Sequence, residues 1–214
     1  MPRTKEYDRD CALDAAMRLF WERGYEATSL DSLTGTMGLS RSSFYAEFES
    51  KHQLFLAALQ RYSQVLVTHL FGRVEQAGAA LGEIAGYFDD MVALTARHGL
   101  PGPGCLMANS MAELVFRDPE VRALVLDHFQ RLEKGFAAAL RRARTLGQLR
   151  AGIKPARAAH MLAVSVQGFS VYSRLCDKPS KLGTFTTEVL RPLATDAFWA
   201  EHTRVGRKTR LASG

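Results

Sequence analysis

Arg41, Ser42 and Ser43 follow the turn Gly38-Leu39-Ser40 and lead into Phe44 and Tyr45. A guanidinium and two hydroxyls at the start of a short helix can read base edges in a DNA major groove. Arg41 suits a bidentate contact to guanine, and the hydroxyls of Ser42 and Ser43 reach bases or phosphates. Tyr45, one turn on, offers its hydroxyl to a phosphate; Thr28, at the start of another helix, suits a second, and Lys51 a third. The spacing alone also fits a small helical bundle with no part in DNA binding, because a glycine turn between two short helices is a weak motif.

Other chemistries are poorly served. The histidines at 52, 69, 98, 128, 160 and 202 show no His-x-x-x-His or HExxH spacing, and no cysteine pair lies near them, so no metal site is expected. There is no Gly-x-Ser-x-Gly elbow, no Walker loop and no dinucleotide fingerprint, so neither an enzyme nor a cofactor is expected. Gly99–Gly104 is glycine-rich, but it holds two prolines and follows no strand, so it is no phosphate cradle. Cys105 follows that loop and opens a helix, a setting that favours the reactive thiolate, although a free cysteine is usually a small buried apolar residue. Cys11 and Cys176 have no such setting.

The elements that position these residues read as helices almost throughout. Ala12, Ala16, Leu19 and Phe20 recur at helical spacing up to Gly24. Leu30 and Leu33 lead a short helix that stops near Gly38, Ser40 caps another through Phe48, and Ser50 precedes a long one carrying Leu54, Phe55, Ala58, Leu59, Tyr62, Leu66 and Leu70. Further helices are predicted over about 80–97, from Cys105 to Phe116, from Asp118-Pro119-Glu120 to about Thr145, from Pro155 to about Leu175, and from about Ser180 with a bend at Pro192. The chain is therefore expected to be all-α with about nine helices, and no run alternates as a strand. Its 214 residues, 47% apolar and 23% charged, fit a small domain fused to a larger one. Three cysteines, odd in number and far apart, with no apolar segment after the charged N-terminus, predict a reduced, cytoplasmic protein; no apolar run is long enough to span a membrane. The net charge of +6 hints at a polyanion partner, but residues 1–54 hold seven Lys and Arg against nine Asp and Glu, which counts against that stretch.

Two segments resemble a known family. Ala16-Met17-Arg18-Leu19-Phe20-Trp21-Glu22-Arg23-Gly24-Tyr25-Glu26-Ala27-Thr28-Ser29 is similar to the first helix and turn of TetR/AcrR-family regulators, and Gly38 to Leu54 to their recognition helix and the lead into the fourth helix. Gly-Tyr-x-x-Thr, Gly-x-Ser, Phe-Tyr-x-x-Phe and Ser-Lys occur in the family's order and spacing. The resemblance implies an N-terminal three-helix, helix-turn-helix DNA-binding domain over 1–50 and a larger helical effector-binding and dimerisation domain over 51–203. A basic tail over 204–214 (Arg204, Arg207, Lys208, Arg210) would be disordered. It further implies a homodimer on a double-stranded operator, most often a repressor released by a small molecule; a two-fold dimer predicts a pseudo-palindromic operator, and the long helix from Lys51, which runs from one domain into the other, is the expected lever. Thr28, Tyr45 and Lys51 carry over as phosphate contacts and Arg41, Ser42 and Ser43 as base readers. Glu47 departs from the family, where His or another neutral or basic residue is common; near phosphates a carboxylate is unfavourable unless it faces away or reads a cytosine amino group. Thr34 and Met37 replace small residues, and Gly35 costs about 1 kcal/mol relative to Ala.

Candidate effector contacts are Tyr62, Leu66, Phe88, Met91, Cys105, Met107, Met111, Phe129 and Gln167, each of which also suits plain core packing. Their Met and Phe content points to a small apolar or aromatic effector. Gly104-Cys105-Leu106 also resembles a motif of a TetR subgroup, some of whose members sense electrophiles, so a thiol-based sensor at Cys105 is one alternative. A helical interaction module whose helix-turn-helix binds no DNA is another. For the dimer interface the candidates are Ala156, Ala159, Ala163, Gly168, Phe169, Tyr172, Phe185, Val189, Leu193 and Trp199, some of which would instead close the monomer core. Arg3 and Lys5 could form a short DNA-reaching arm or a solvated terminus.

Overall fold

The computed structural model describes residues 9–178 and 181–202. Arg3, Lys5, Ser180 and the basic tail lie outside the described residues. The described chain is all-α: it contains no strand, only an isolated bridge between Leu149 and Ala194. The helices are α1 (Arg9–Arg23), α2 (Leu30–Met37), α3 (Arg41–Phe48), α4 (Lys51–Tyr62), α5 (Thr68–Glu75), α6 (Leu81–His98), α7 (Leu106–Leu114), α8 (Pro119–Thr145), α9 (Pro155–Tyr172) and α10 (Phe185–Leu190). No described helix is long and apolar enough to cross a membrane.

The boundaries of α2, α3 and α4 repeat one local device. Ser29, Ser40 and Ser50 each accept a hydrogen bond from the backbone N–H three residues on, at 3.1, 3.1 and 3.0 Å. Each serine thereby satisfies an orphan donor of the first turn. At the other end of α2, Gly38 adopts φ 68°, and the Leu39 N–H bonds to the Thr34 carbonyl at 2.9 Å, which closes the helix in a left-handed turn.

Two expected helices differ. The long one from Ser50 is interrupted by a π-helical turn over Ser63–Val67. Both the backbone N–H and the hydroxyl of Thr68 bond to the Ser63 carbonyl, five residues back, and this widened ring separates α4 from α5. The last expected helix is broken after α10, which ends at Leu190. After a turn before Ala194, which pairs with Leu149, helical structure resumes over 196–202.

The chain forms two compact units. One runs to Thr68 and takes in Pro103–His128; the other comprises His69–Gly102 and the chain from Phe129 on. In the first, α1 packs on α2 and α4, and Phe20, Leu33, Phe44, Leu54 and Leu59 are fully buried. The Phe55 ring stands edge-on to Phe20 at 4.9 Å and contacts Tyr25 at the same distance, while Trp21 meets Tyr62 edge-on at 5.4 Å. Arg61 of α4 grips Asp14 of α1 through two hydrogen bonds of 2.8 and 3.1 Å. The second unit is built around a ring cluster: Phe136 touches Phe71 at 5.1 Å and stacks on Phe88 at 5.9 Å, and Phe185 bridges Phe88 to Phe169.

Candidate nucleic-acid interface

Ser40 fixes the start of α3, and buried Phe44 and Phe48 fix its rotation, since they hold one face against the core. That rotation leaves Arg41, Ser42, Ser43, Tyr45 and Glu47 exposed. The Ser40 hydroxyl lies 2.9 Å from both the Ser42 and Ser43 hydroxyls, which gathers three donor–acceptor groups at the N-terminus of α3. Tyr45 is 51% exposed, its ring edge-on to Phe44 at 5.4 Å, so its hydroxyl projects from an anchored ring.

Arg41 is not free in this structure. Its Nη2 and Nε donate to Asp31 Oδ1 at 2.6 and 3.2 Å. That hydrogen bond and the Asp31 charge hold the Arg41 guanidinium above its already high ordinary value. Glu47 is likewise engaged: Arg9, at the start of α1, donates to it at 2.5 Å and lies over the Phe48 ring at 5.4 Å. The carboxylate that departs from the family pattern is therefore paired with a cation.

The three phosphate candidates have different settings. Lys51 is half-buried, its ammonium 4.3 Å from the Tyr25 ring centroid, an attractive cation–π geometry. Thr28 is fully buried and donates its hydroxyl to the Gly24 carbonyl at 2.6 Å, so it shapes the α1–α2 turn, while Ser29 provides the exposed capping hydroxyl. Tyr45 is the most open of the three.

The α1–α2 turn has a support that sequence reasoning missed. Glu113 of α7 accepts hydrogen bonds from the backbone N–H groups of Tyr25 and Glu26, at 3.0 and 2.8 Å. The Trp21 indole donates to the Gly104 carbonyl at 3.0 Å. Burial, then the carboxylates of Glu26, Asp118 and Glu113, hold the Tyr25 phenol above its ordinary value. His52, beside Lys51, bonds through Nε2 to Asp118 Oδ2 at 2.7 Å, while Asp118 Oδ1 caps α8 by accepting from Glu120 and Val121 at 3.0 Å. Partial desolvation pushes the Asp118 carboxyl up, but these bonds outweigh it and hold the carboxyl below its ordinary value. The cap by Asp118 has a local signal in Asp118-Pro119-Glu120, and Asp31 has one as an acid in the first turn of α2, ten residues before Arg41; the bonds of Glu113 and of His52 have none.

The effector candidates fall in both units. Tyr62, Leu66, Cys105, Met107 and Met111 belong to the first; Phe88, Met91, Phe129 and Gln167 belong to the second. Tyr62 and Met107 are buried, Leu66 and Cys105 half-buried, and Met111 exposed. Phe88 and Met91 are buried, while Phe129 and Gln167 are half-buried. Cys105 is a free thiol at the N-cap of α7.

The dimer candidates also divide. Ala159, Ala163, Phe169 and Leu193 are buried within the second unit; Phe185, Val189 and Trp199 are half-buried; Ala156, Gly168 and Tyr172 are exposed. Met161, Val164, Val171 and Leu175 are exposed as well and extend Gly168 and Tyr172 into an apolar stripe along α9 and just beyond it.

Two family models match the chain. One, described as bacterial regulatory proteins of the tetR family, covers residues 12–58, and a tetracyclin repressor-like C-terminal domain covers residues 80–189. The HTH-type transcriptional repressor ComR of Escherichia coli is 32% identical over 176 residues, which span 80% of this chain and 82% of ComR. The HTH-type transcriptional repressor DhaR of a Mycobacterium species is 26% identical over 186 residues, 86% of this chain and 91% of DhaR. A solved structure of the TetR-family regulator CifR with a 26-bp operator duplex matches with a TM-score of 0.74 at 30% identity, over 88% of this chain and 98% of that one.

Proposed function

The chain belongs to the TetR family of bacterial transcriptional regulators, and from that premise we propose that it is a homodimeric repressor, released from a pseudo-palindromic operator by a small apolar or aromatic effector. The observation that carries this reading is the exposed row Arg41, Ser42, Ser43 and Tyr45, presented by a capped helix whose opposite face is buried. Arg41 and the two serines would read bases, Tyr45 and Lys51 would bind phosphates, and Thr28 would fix the turn that presents the α2 N-terminus. ComR and DhaR are both named repressors, and CifR has been solved on its operator, which supports the sign and the partner. The α9 stripe supplies the apolar area that a second copy would cover. The effector would act by binding one arrangement of the dimer better than another, and shifts the balance only by that difference in affinity.

The test is fluorescence anisotropy on the duplex upstream of the protein's own gene against a scrambled duplex, at several salt concentrations. Tight, sequence-selective, salt-sensitive binding is expected. Absence of binding to either duplex at low salt refutes the assignment of Arg41, Tyr45 and Lys51 as DNA contacts.

A second reading of the signal has one specific observation behind it. Cys105 is a free, half-buried thiol at the N-cap of α7, the helix whose Glu113 holds the α1–α2 turn. Alkylation or oxidation there would disturb the end of a helix that braces the DNA-reading unit. A Cys105→Ser protein should then keep operator binding and lose its response to electrophiles; an unchanged response removes this reading.

A further inference from the structure

Arg41 sits at the first position of α3 and Asp31 in the first turn of α2, and both side chains face solvent, 65% and 73% exposed. Two donors of the guanidinium, Nε and Nη2, converge on the single oxygen Asp31 Oδ1. The opposite edge, formed by Nη1 and the second hydrogen of Nη2, remains open. That edge is a planar two-donor fork, the shape that matches O6 and N7 of guanine. An unrestrained arginine at this position would have two competing fates on a duplex: a base edge, which carries sequence information, or a phosphate, which carries none. A carboxylate on the neighbouring helix bears on that competition. It holds the guanidinium in one orientation, and its own negative charge disfavours the approach of a phosphate oxygen to the same place.

We propose that Asp31 is the positioning residue that makes Arg41 a guanine reader: pairing through Oδ1 presents the free edge of the guanidinium to the major groove and keeps it off the phosphates. This rests on the reading of Arg41 as a base contact. Asp31 thus contributes selectivity at the expense of overall affinity. Removing it should leave the protein able to bind DNA, with one base pair read poorly.

The experiment uses the full-length protein and an operator duplex enriched by wild-type protein from a randomised library. Every single-base-pair variant of that duplex is measured by anisotropy with wild type, Asp31→Ala, Asp31→Asn, Arg41→Ala and the Asp31→Ala/Arg41→Ala double variant. A good bidentate contact discriminates by about five- to 150-fold. Asp31→Ala is expected to lose at least about fivefold of the preference for one G·C pair, the pair also affected by Arg41→Ala. The double variant should lose no more there than Arg41→Ala alone. Binding of Asp31→Ala to a scrambled duplex should hold or strengthen by about twofold, because a negative charge has left the interface. Asp31→Asn, which keeps shape and one acceptor, should fall between the two. A merely structural role for Asp31 would lower binding to all duplexes alike, and that result overturns the proposal. So does an Asp31→Ala protein that keeps the Arg41-dependent preference. An Arg41→Ala protein with an unchanged profile overturns the base-reading role of Arg41 itself, and a wild-type protein that enriches no duplex overturns the DNA-reading assignment beneath both.

Discussion

Glu113 makes a test of how the DNA-reading unit is held together. Its carboxylate receives two backbone N–H groups, from Tyr25 at 3.0 Å and Glu26 at 2.8 Å. A hydrogen bond to a charged group contributes about 1.5–3 kcal/mol when water cannot replace it. Tyr25 is half-buried and Glu26 is exposed, so the second bond is discounted and Glu113→Ala should cost about 1.5–2.5 kcal/mol in all. In a chain of this length that is a fall in Tm of about 3–10 °C. Glu113→Gln keeps one neutral acceptor and should cost about half as much. Gly24 supplies the control. Its φ is +83°, and a Cβ there would lie 2.9 Å from Glu113 Oε2. Gly24→Ala therefore carries a backbone penalty of about 1–2 kcal/mol and must also displace the carboxylate. Once Glu113 is already alanine, only the backbone penalty is left. The double variant should be less destabilised than the sum of the singles by about 1–2 kcal/mol, a coupling typical of residues in contact. Thermal melts followed by far-UV circular dichroism give these values, and amide exchange at Tyr25 and Glu26 locates them. A Glu113→Ala protein that melts within about 1 °C of wild type, with exchange at those two amides unchanged, would refute the reasoning.

Lys51→Ala should weaken binding to all duplexes alike and reduce the slope of log affinity against log salt by about one, as loss of a phosphate contact requires; a loss confined to particular base pairs would contradict that role. Asp118→Asn preserves the cap of α8 and removes the charge. The folded Asp118 carboxyl is held below its ordinary value of 3.8, so its ionised form stabilises the fold fully above that pH, and the contribution is lost as pH falls through the lowered value. Asp118→Asn should thus be less stable than wild type at neutral pH, with the gap closing in acid; urea titrations showing the same gap at every pH would count against the assignment. Val164→Asp puts a charge into the exposed stripe of α9 and should convert the proposed dimer to a monomer in sedimentation equilibrium without unfolding it, whereas a dimer that persists moves the interface elsewhere.

Which features were legible in the sequence follows from how far apart the interacting residues lie. The boundaries of α2, α3 and α4 rest on serines that bond three residues on, and the Gly38 turn on bonds within five residues, so residue type and spacing specify them. Glu113 is 87 and 88 residues from the amides it holds, and Asp118 is 66 from His52; no local pattern encodes such pairs. Small residues on α9 suggested a surface for a second copy, yet Ala159 and Ala163 are buried in their own unit, because a small side chain permits close approach to any neighbour. Tyr62 and Phe88 likewise suit core packing in the sequence, but periodicity does not tell into which unit each packs.

Charge shows the same limit in another form. The acidic excess of residues 1–54 reads as unfavourable to DNA, but a sum has no direction. In the structure Asp14 bonds to Arg61, Glu47 to Arg9 and Asp31 to Arg41, and Asp10 and Glu26 lie 3.8 and 3.7 Å from Arg61 and Arg117, so five of those acids already face cations. Asp14 and Glu47 are neutralised in packing the unit. Asp31 stands beside an open guanidinium edge at the start of α3, where, on the proposed reading, an acid that repels phosphate would also fix a donor toward the bases. Affinity for a polyanion and selectivity among sequences make opposite demands on local charge, and a recognition helix with a carboxylate at its leading arginine is weighted toward selectivity.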